Sequence, residues 1–559
     1  MSKAMPIEEK TGAMSNEAGL LRSDIPLPPL PAQWRSLAAA FAWRAKHDSR
    51  RPALCDSTGT TLTYGETLLR ATALGGYLSR LVGKERFVGV MLPPTVPAAV
   101  ANLALELFGK IPVNLNYSAS EALVNQSIDQ CGITHTITSK RVLDKFKMTP
   151  KGQVVLLEEA AKHVSNLDKA RAFAVSKLPW AMLPLLLLGL RGDRRDETAT
   201  IIFTSGSTAE PKGVVLTHRN VLSNMLGIKT HVHLSENDVL VGILPFFHSF
   251  GFTVTLWTML GLGLKGVYHF SPLDSKIIGN LCEEHGATVM AATPTFLRGL
   301  LVRCPPEQFK TMRLLIVGAE KLKPEFEREI ADTIHVHALE GYGCTETGPV
   351  VSVNLPFDVT LPDGRVIPGR RLGTVGRLLP GTEVRLVDPE SSQVVAAGEE
   401  GIIHVKGPQV MAGYLNKPEA TARVLHDGWY ATGDLGRFDE DGFLHITGRL
   451  SRFAKIGGEM VSHHAVESAI AKTCGIDEAA LAVTSLPDPK RGERLIVVHT
   501  ALEKTPAEIC RALQSSELPR LWIPSSEDFV AVEAIPILGT GKLDLRAIRT
   551  LAEKARSIV

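Results

Sequence analysis

IIFTSGSTAEPKGVVLTHRN, residues Ile201 to Asn220, joins an apolar, β-branched run to a loop of glycine and hydroxyl residues followed by Lys212. Small side chains let backbone N–H groups come close to oxygen atoms, and a lysine adds mobile positive charge, so the pattern can cradle phosphate. The spacing is not that of a Walker loop, which needs GxxxxGK followed by Ser or Thr. Taken alone, such a loop is as readily a turn as a phosphate site.

Outward from this stretch, between Leu62 and about Ala292, strand-like runs such as Phe87–Met91 and Ala199–Phe203 alternate with helix-like stretches such as Val96–Phe108. That alternation predicts parallel α/β layers. From Arg370 to Arg449 the texture changes to short strands broken by glycine, proline and aspartate, as in GTVGRLLPGTEVRLVD and EEGIIHVKGP, which predicts a small β-rich subdomain. Beyond Arg449 a helix over Ser462–Ala471 and a strand near Leu495–Thr500 predict a separate α+β domain. The fold class is therefore α/β. A flexible leader is expected over 1–33, with the proline-rich Pro26–Pro31; a large N-terminal domain over 34–450, its β-rich part at 370–449; and a small C-terminal domain over 451–559.

A chain of 559 residues is too long for one ordinary core, and 44% hydrophobic with 21% charged residues is the balance of a globular enzyme. With 61 basic against 59 acidic residues, no overall field recommends nucleic acid as a partner. The seven cysteines are scattered and never spaced as CxxC, against a disulfide scaffold or a zinc site and in keeping with a reducing cytoplasm. Leu178–Leu190 is strongly apolar and is followed by Arg191, Arg194 and Arg195. It is too short to span a bilayer and is broken by Pro179 and Pro184; peripheral membrane contact, a buried segment and a substrate-channel wall all fit it.

Further along stand LPFFHSFG (Leu244–Gly251), VGAEKL (Val317–Leu322), EGYGCTETGP (Glu340–Pro349), GWYATGDLGRF (Gly428–Phe438), ITGR ending at Arg449, and LGTGKLD around Lys542. Read alone, GYGCTE is also a weak dinucleotide fingerprint, but it lacks the last glycine of GxGxxG and the acidic residue that should follow. Together with the Ile201–Asn220 segment, and in this order, these stretches resemble the signatures of the acyl-adenylate-forming superfamily: acyl-CoA ligases, peptide-synthetase adenylation domains and luciferases. The resemblance covers roughly Leu62 to Leu545.

That resemblance implies ATP and Mg²⁺ as cofactors and a role for each position. Thr204, Ser205, Gly206, Ser207, Thr208 and Lys212 would hold the phosphates, with Thr345 beside the α-phosphate and Glu346 holding the metal. Tyr342 would pack against adenine with Gly318, Ala319 and Glu320 completing the pocket, Gly341 and Gly343 would also bind the nucleotide, and Asp434 and Arg449 would take the ribose hydroxyls. His248 would line the acyl pocket and gate it; it is not a general base, because the substrate acid is already ionised near neutral pH. Lys542 would swing over the site for adenylation, while Lys455 and Gly458 would belong to the thioester-forming state of a mobile C-terminal domain hinged at Ser451. Two positions depart from the family's habit: Ala209 stands where the phosphate loop often has glycine, and Ser451 where relatives commonly carry aspartate or lysine.

The runs RFAKIGGEMVSHHAVE, PILGTGKLD and VGAEKL look most like the ligase half of the bacterial acyl-[acyl-carrier-protein] synthetase fused to a lysophospholipid acyltransferase. The resemblance implies a long-chain fatty acid as substrate and the phosphopantetheine thiol of acyl carrier protein as acceptor; a long-chain acyl-CoA ligase remains the alternative. The fused acyltransferase half is expected to be missing. Three HxxxxD strings, His163–Asp168, His233–Asp238 and His269–Asp274, lack a companion motif nearby and leave a lysophospholipid acyltransferase-linked ligase as the lesser reading. VMAATPTF, from Val289, is expected to line the acyl tunnel.

Overall fold

The computed structural model describes residues 19–204, 211–360, 364–456, 459–488, 491–516, 518–537 and 543–557. The chain divides into two compact units, the first covering residues 1–204, 210–432 and 437–445, the second 205–209, 433–436 and 446–559.

Within the first unit, the run LLIV at Leu314–Val317 is wholly buried, as expected of a strand covered on both faces in a parallel sheet. It lies inside a nine-stranded sheet whose parallel members run in the order Ala338–Gly343, Leu314–Val317, Val289–Ala292, Val239–Gly242, Lys265–Tyr268 and Pro52–Asp56. Helices close the crossovers with local signals. Tyr64–Leu81 starts in a capping box between Thr63 and Glu66, and Pro324–Ile334 has proline at its start and Glu325 and Glu327 in its first turn. A second parallel sheet orders Ile111–Asn114, Phe87–Val90, His135–Thr138 and Gln153–Leu156, with the helix Val96–Leu107 following Phe87–Val90.

The run Ala199–Phe203, read from sequence as one of the parallel strands, belongs instead to an antiparallel sheet. Thr198–Thr204 pairs antiparallel with Lys212–Thr217, because too few residues separate them for a parallel crossover. The β-rich part holds Glu383–Val387, Gly401–Lys406, Leu425–His426 and Trp429–Phe438 in one sheet. Leu20–Arg22 adds antiparallel to Glu383–Arg385, and Asp24 is ion-paired with Arg377. Residues 19–24 of the expected leader are thus tied to the β-rich sheet by ladder hydrogen bonds and one charge pair.

In the second unit the strands Phe453–Ile456, Glu459–Ser462, Leu481–Asp488, Gly492–His499 and Phe529–Ala531 form one sheet. The period of two is visible in its packing. Leu481, Val483, Leu495 and Val497 join the helices His463–Cys474 and Pro506–Leu513 on one face, while Ala482, Leu486, Ile496 and Val498 meet Ile548 and Ala552 of the helix Leu545–Ser557 on the other.

One buried pair makes the first unit sensitive to alkali. His218 Nδ1 accepts a hydrogen bond from the Leu37 N–H at 3.3 Å, which fixes the neutral ring with its proton on Nε2, 4.0 Å from Glu106 Oε2. Burial pushes the Glu106 carboxyl up from 4.5 to about 8 and the His218 ring down from 6.5 to about 3. The two effects have opposite sign. From pH 4.5 to 8 the unfolded chain gives up the Glu106 proton that the folded chain keeps, so stability falls with pH. From pH 3 to 6.5 the unfolded chain gains the His218 proton, so stability rises with pH. They cancel where they overlap. Between pH 7 and 8, above the other carboxyl that burial lifts, that of Glu340, the Glu106 loss stands alone and amounts to ~1.4 kcal/mol. Urea titrations across that window should show this decline in the native protein and its removal in Glu106→Gln.

Candidate active site

Ligand sites in open α/β sheets lie beyond the carboxyl ends of the parallel strands. Here those ends carry the residues singled out above. His248 follows Val239–Gly242, Thr293 follows Val289–Ala292, Gly318 to Glu320 follow Leu314–Val317, and Gly341 to Glu346 lie at the end of Ala338–Gly343.

Three side-chain links draw these loops together. The Ser249 hydroxyl donates to Thr345 Oγ1 at 3.3 Å, so the PFFHSFG and GYGCTETG segments touch. Glu320 accepts from the Thr295 hydroxyl at 2.7 Å and from its N–H at 3.3 Å. Glu340 accepts from the Leu322 N–H at 3.1 Å, and burial lifts its carboxyl to about 7. A β-carbon on Gly318 would stand 3.5 Å from the Phe250 ring and 3.6 Å from the Gly341 carbonyl oxygen, which places two of the expected nucleotide-binding glycines beside the PFFHSFG stretch. Ala319 holds φ +71, a left-handed conformation that costs an L-residue energy and that is found where a site imposes it.

Close packing also explains Gly343. The ladder to Val350–Val353 shifts register between Tyr342 and Gly343, and a β-carbon at Gly343 would lie 2.0 Å from the Pro349 carbonyl oxygen. Only glycine permits the chain to double back here. Asn224 donates to the Val350 carbonyl and Thr253 to the Gly348 carbonyl, each at 2.8 Å, which fixes the far side of the same turn. Glu346 is buried in that turn, and its backbone carbonyl accepts from Met411 N–H at 2.8 Å.

Lys212 opens the strand Lys212–Thr217 opposite Thr204. Its ammonium rests 5.2 Å from the centroid of the Tyr414 ring, and among the described residues no carboxylate pairs with it. The Tyr414 hydroxyl donates to Glu346 Oε1 at 2.8 Å, and among the described residues no other donor reaches that carboxylate. The strand end therefore presents a cation with no counter-ion among the described residues and a buried carboxylate, both against one phenol. Such a pair suits a polyphosphate with its metal: magnesium takes one or two carboxylates together with substrate phosphates. Among the described residues no group of three or more His, Cys, Asp and Glu could hold a metal by itself; Glu346 would hold the ion together with substrate phosphate.

His248 begins the turn that leads into the buried π-helix Phe250–Thr258; its ring packs at 4.5 Å on Phe247, which in turn meets Tyr117 at 4.8 Å. Of VMAATPTF, the strand Val289–Ala292 is buried, while Thr295 is exposed and Phe296 partly buried in the helix Pro294–Arg303. Two of the three HxxxxD strings pair their aspartates with arginines elsewhere, Asp168 with Arg80 and Asp238 with Arg313, while Asp274 meets the histidine of its own string, His269, at 3.0 Å.

In the second unit Asp434 Oδ1 and Arg449 Nε lie 3.3 Å apart, so the two expected ribose ligands are neighbours. Lys455 is exposed on strand Phe453–Ile456, its backbone N–H held by Glu493 at 2.6 Å. Ser451 lies in the turn Leu450–Arg452. Ser205, Gly206, Ser207, Thr208, Ala209, Gly458 and Lys542 lie outside the described residues. Sequence reading did not find Tyr414, Ser249, Thr295 or Glu340. Tyr414 belongs to a strand of only two residues, too short to show any periodicity, and the others act through contacts distant in sequence.

The comparisons with known proteins point the same way as this geometry. A family model described as AMP-binding enzyme matches residues 41–415. The chain is 28% identical over 522 residues to the long-chain-fatty-acid–CoA ligase of Bacillus subtilis (strain 168), covering 87% of this chain and 89% of that one. It is 24% identical over 560 residues to 4-coumarate–CoA ligase-like 6 of Arabidopsis thaliana, covering 97% and 95%. The crystal structure of ATP-bound MatB from Rhodopseudomonas palustris superposes with a TM-score of 0.74 at 26% identity, covering 94% of this chain and 99% of that one. With a matched region that spans most of its length, the chain belongs to the AMP-binding enzyme family and is an AMP-forming acid–thiol ligase.

Proposed function

We propose that this ligase activates a long-chain fatty acid as its acyl-adenylate, with ATP and Mg²⁺, and passes the acyl group to the phosphopantetheine thiol of acyl carrier protein. The observation that carries the first step is the convergence of Lys212 and Glu346 on Tyr414 beside the carboxyl ends of the parallel strands. Attack of a carboxylate on the α-phosphorus builds negative charge on phosphate oxygens and expels pyrophosphate, so fixed cations and aligned donors lower its barrier. In this reading Lys212, Thr345 and Lys542 serve adenylation, and Lys455 serves thioester formation after the domain 451–559 turns about Ser451. Asp434 and Arg449 hold the ribose, and His248 borders the acyl chain.

The choice of thiol rests on the runs RFAKIGGEMVSHHAVE and PILGTGKLD. Coenzyme A is the second reading, favoured by the likeness to the long-chain-fatty-acid–CoA ligase of Bacillus subtilis. Purified protein with ATP, magnesium and palmitate, offered holo-carrier protein and coenzyme A in parallel, decides between them. Faster acyl transfer to the carrier protein is expected; a strong preference for coenzyme A overturns the choice.

A long-chain acid partitions into membranes, and the segment Leu178–Leu190, for which membrane contact is one of three readings, bears on this. Among the described residues no helix is long and apolar enough to cross a membrane. Leu183, Leu187 and Leu190 are buried, while Met182, Leu185 and Leu188 are exposed, and the Arg191 guanidinium donates to the Pro184 and Leu185 carbonyls. In this reading those exposed side chains make weak peripheral contact at most. Flotation with anionic vesicles should weaken when Leu185 and Leu188 become serine; equal flotation removes the idea.

A further inference from the structure

Tyr414 has a position that the adenylation reading does not by itself assign. The strand Lys212–Thr217 pairs with Gly413–Tyr414, with Tyr414 opposite Val214. Side chains two apart on a strand share a face, so Lys212 and Tyr414 are diagonal neighbours on one side of the ladder. Gly413 makes this approach possible. Its φ is +145, and a β-carbon there would press against Thr421 Cγ2 at 2.9 Å. On the other side Met411 N–H donates to the Glu346 carbonyl at 2.8 Å, and Leu415 N–H donates to the Gly213 carbonyl at 2.8 Å. The segment 411–415 is thereby fastened both to the turn that carries Glu346 and to the strand that carries Lys212.

The tyrosine uses its two ends differently. Its ring face lies under the Lys212 ammonium, an arrangement that attracts a cation without neutralising it. Its hydroxyl donates to Glu346 Oε1 at 2.8 Å, which occupies one carboxylate oxygen and orients the other. A phenol is protonated near neutral pH, so the hydroxyl is a proton donor to the carboxylate. The Tyr430 hydroxyl lies beside it.

We propose that Tyr414 is a positioning residue that sets the orientation of Glu346 toward magnesium and the placement of Lys212 toward the phosphates of one nucleotide. This rests on the adenylation reading. A carboxylate alone would compete for the lysine; the phenol keeps both charges apart while fixing each. The hydroxyl serves the metal and the ring serves the phosphate, so two substitutions separate the roles.

Binding of the non-hydrolysable α,β-methylene analogue of ATP, measured by calorimetry across a magnesium titration, tests this without turnover. Tyr414→Phe should raise the magnesium concentration for half-maximal tightening on the order of tenfold, as expected for one lost hydrogen bond to a charged group, and leave metal-free binding unchanged. Tyr414→Leu should also weaken metal-free binding by about threefold, the size of a lost cation–π contact. In a Glu346→Gln background Tyr414→Phe should add nothing to the magnesium dependence. Unchanged magnesium dependence in Tyr414→Phe overturns the proposal, as does equal weakening with and without metal, which marks a merely structural role. Additive effects in the double variant overturn it too. If the native protein fails to bind the analogue, the adenylation reading fails instead, so the two failures are distinct.

Discussion

Replacing Lys542 by alanine is expected to slow acyl-adenylate formation by about 10²- to 10⁴-fold, the size of one electrostatic stabiliser removed from a transition state. The residue stands between Gly541 and Leu543, where a lysine would by default be a solvated charge. Its proposed work is confined to the first half-reaction, because only there does negative charge gather at phosphorus and on the departing pyrophosphate. Thioester formation from synthetic acyl-adenylate should therefore proceed at close to the native rate. ATP–pyrophosphate exchange reads the first half and single-turnover transfer reads the second. Unharmed exchange removes the role, and equal loss in both halves points to damage elsewhere.

Glu346→Gln should cost about 10²- to 10³-fold in pyrophosphate exchange, again the loss of one charge aligned with the reacting phosphates. Glutamine keeps the volume of the buried side chain and an oxygen for the Tyr414 hydroxyl to reach, so packing in the turn Thr345–Thr347 should survive. What it removes is the anionic oxygen that a hard divalent cation prefers. Part of the lost rate should return at raised magnesium, because a weaker site fills at higher concentration. Native exchange at low magnesium in this variant would place the metal on other groups.

How far these residues could be read beforehand depended on the range of the forces that place them. The strand Phe87–Val90 and the helix Val96–Leu107 are legible because each is a local apolar run whose length and residue types favour one structure. The helix predicted over Ser462–Ala471 runs His463–Cys474 with Ser462 as its cap, since capping is also decided within a few residues. The strand at Thr198–Thr204 was legible as a strand, yet its antiparallel partner was not, because strand propensity carries no information about direction. Residues 20–22 show the same limit: nothing local in that short segment announces a ladder to Glu383–Arg385.

The sequence by itself determined the class of chemistry, through the order of its phosphate, adenine and ribose segments, and the α/β character of the layers. Those are properties of short stretches, each set by side-chain type and spacing. Tertiary structure alone decided that Lys212 and Glu346 meet on Tyr414, that Ser249 touches Thr345, and that Glu320 and Glu340 pin the loop after Leu314–Val317. Such contacts join residues far apart in the chain. Their partners are chosen by strand register and close packing, which no local pattern records.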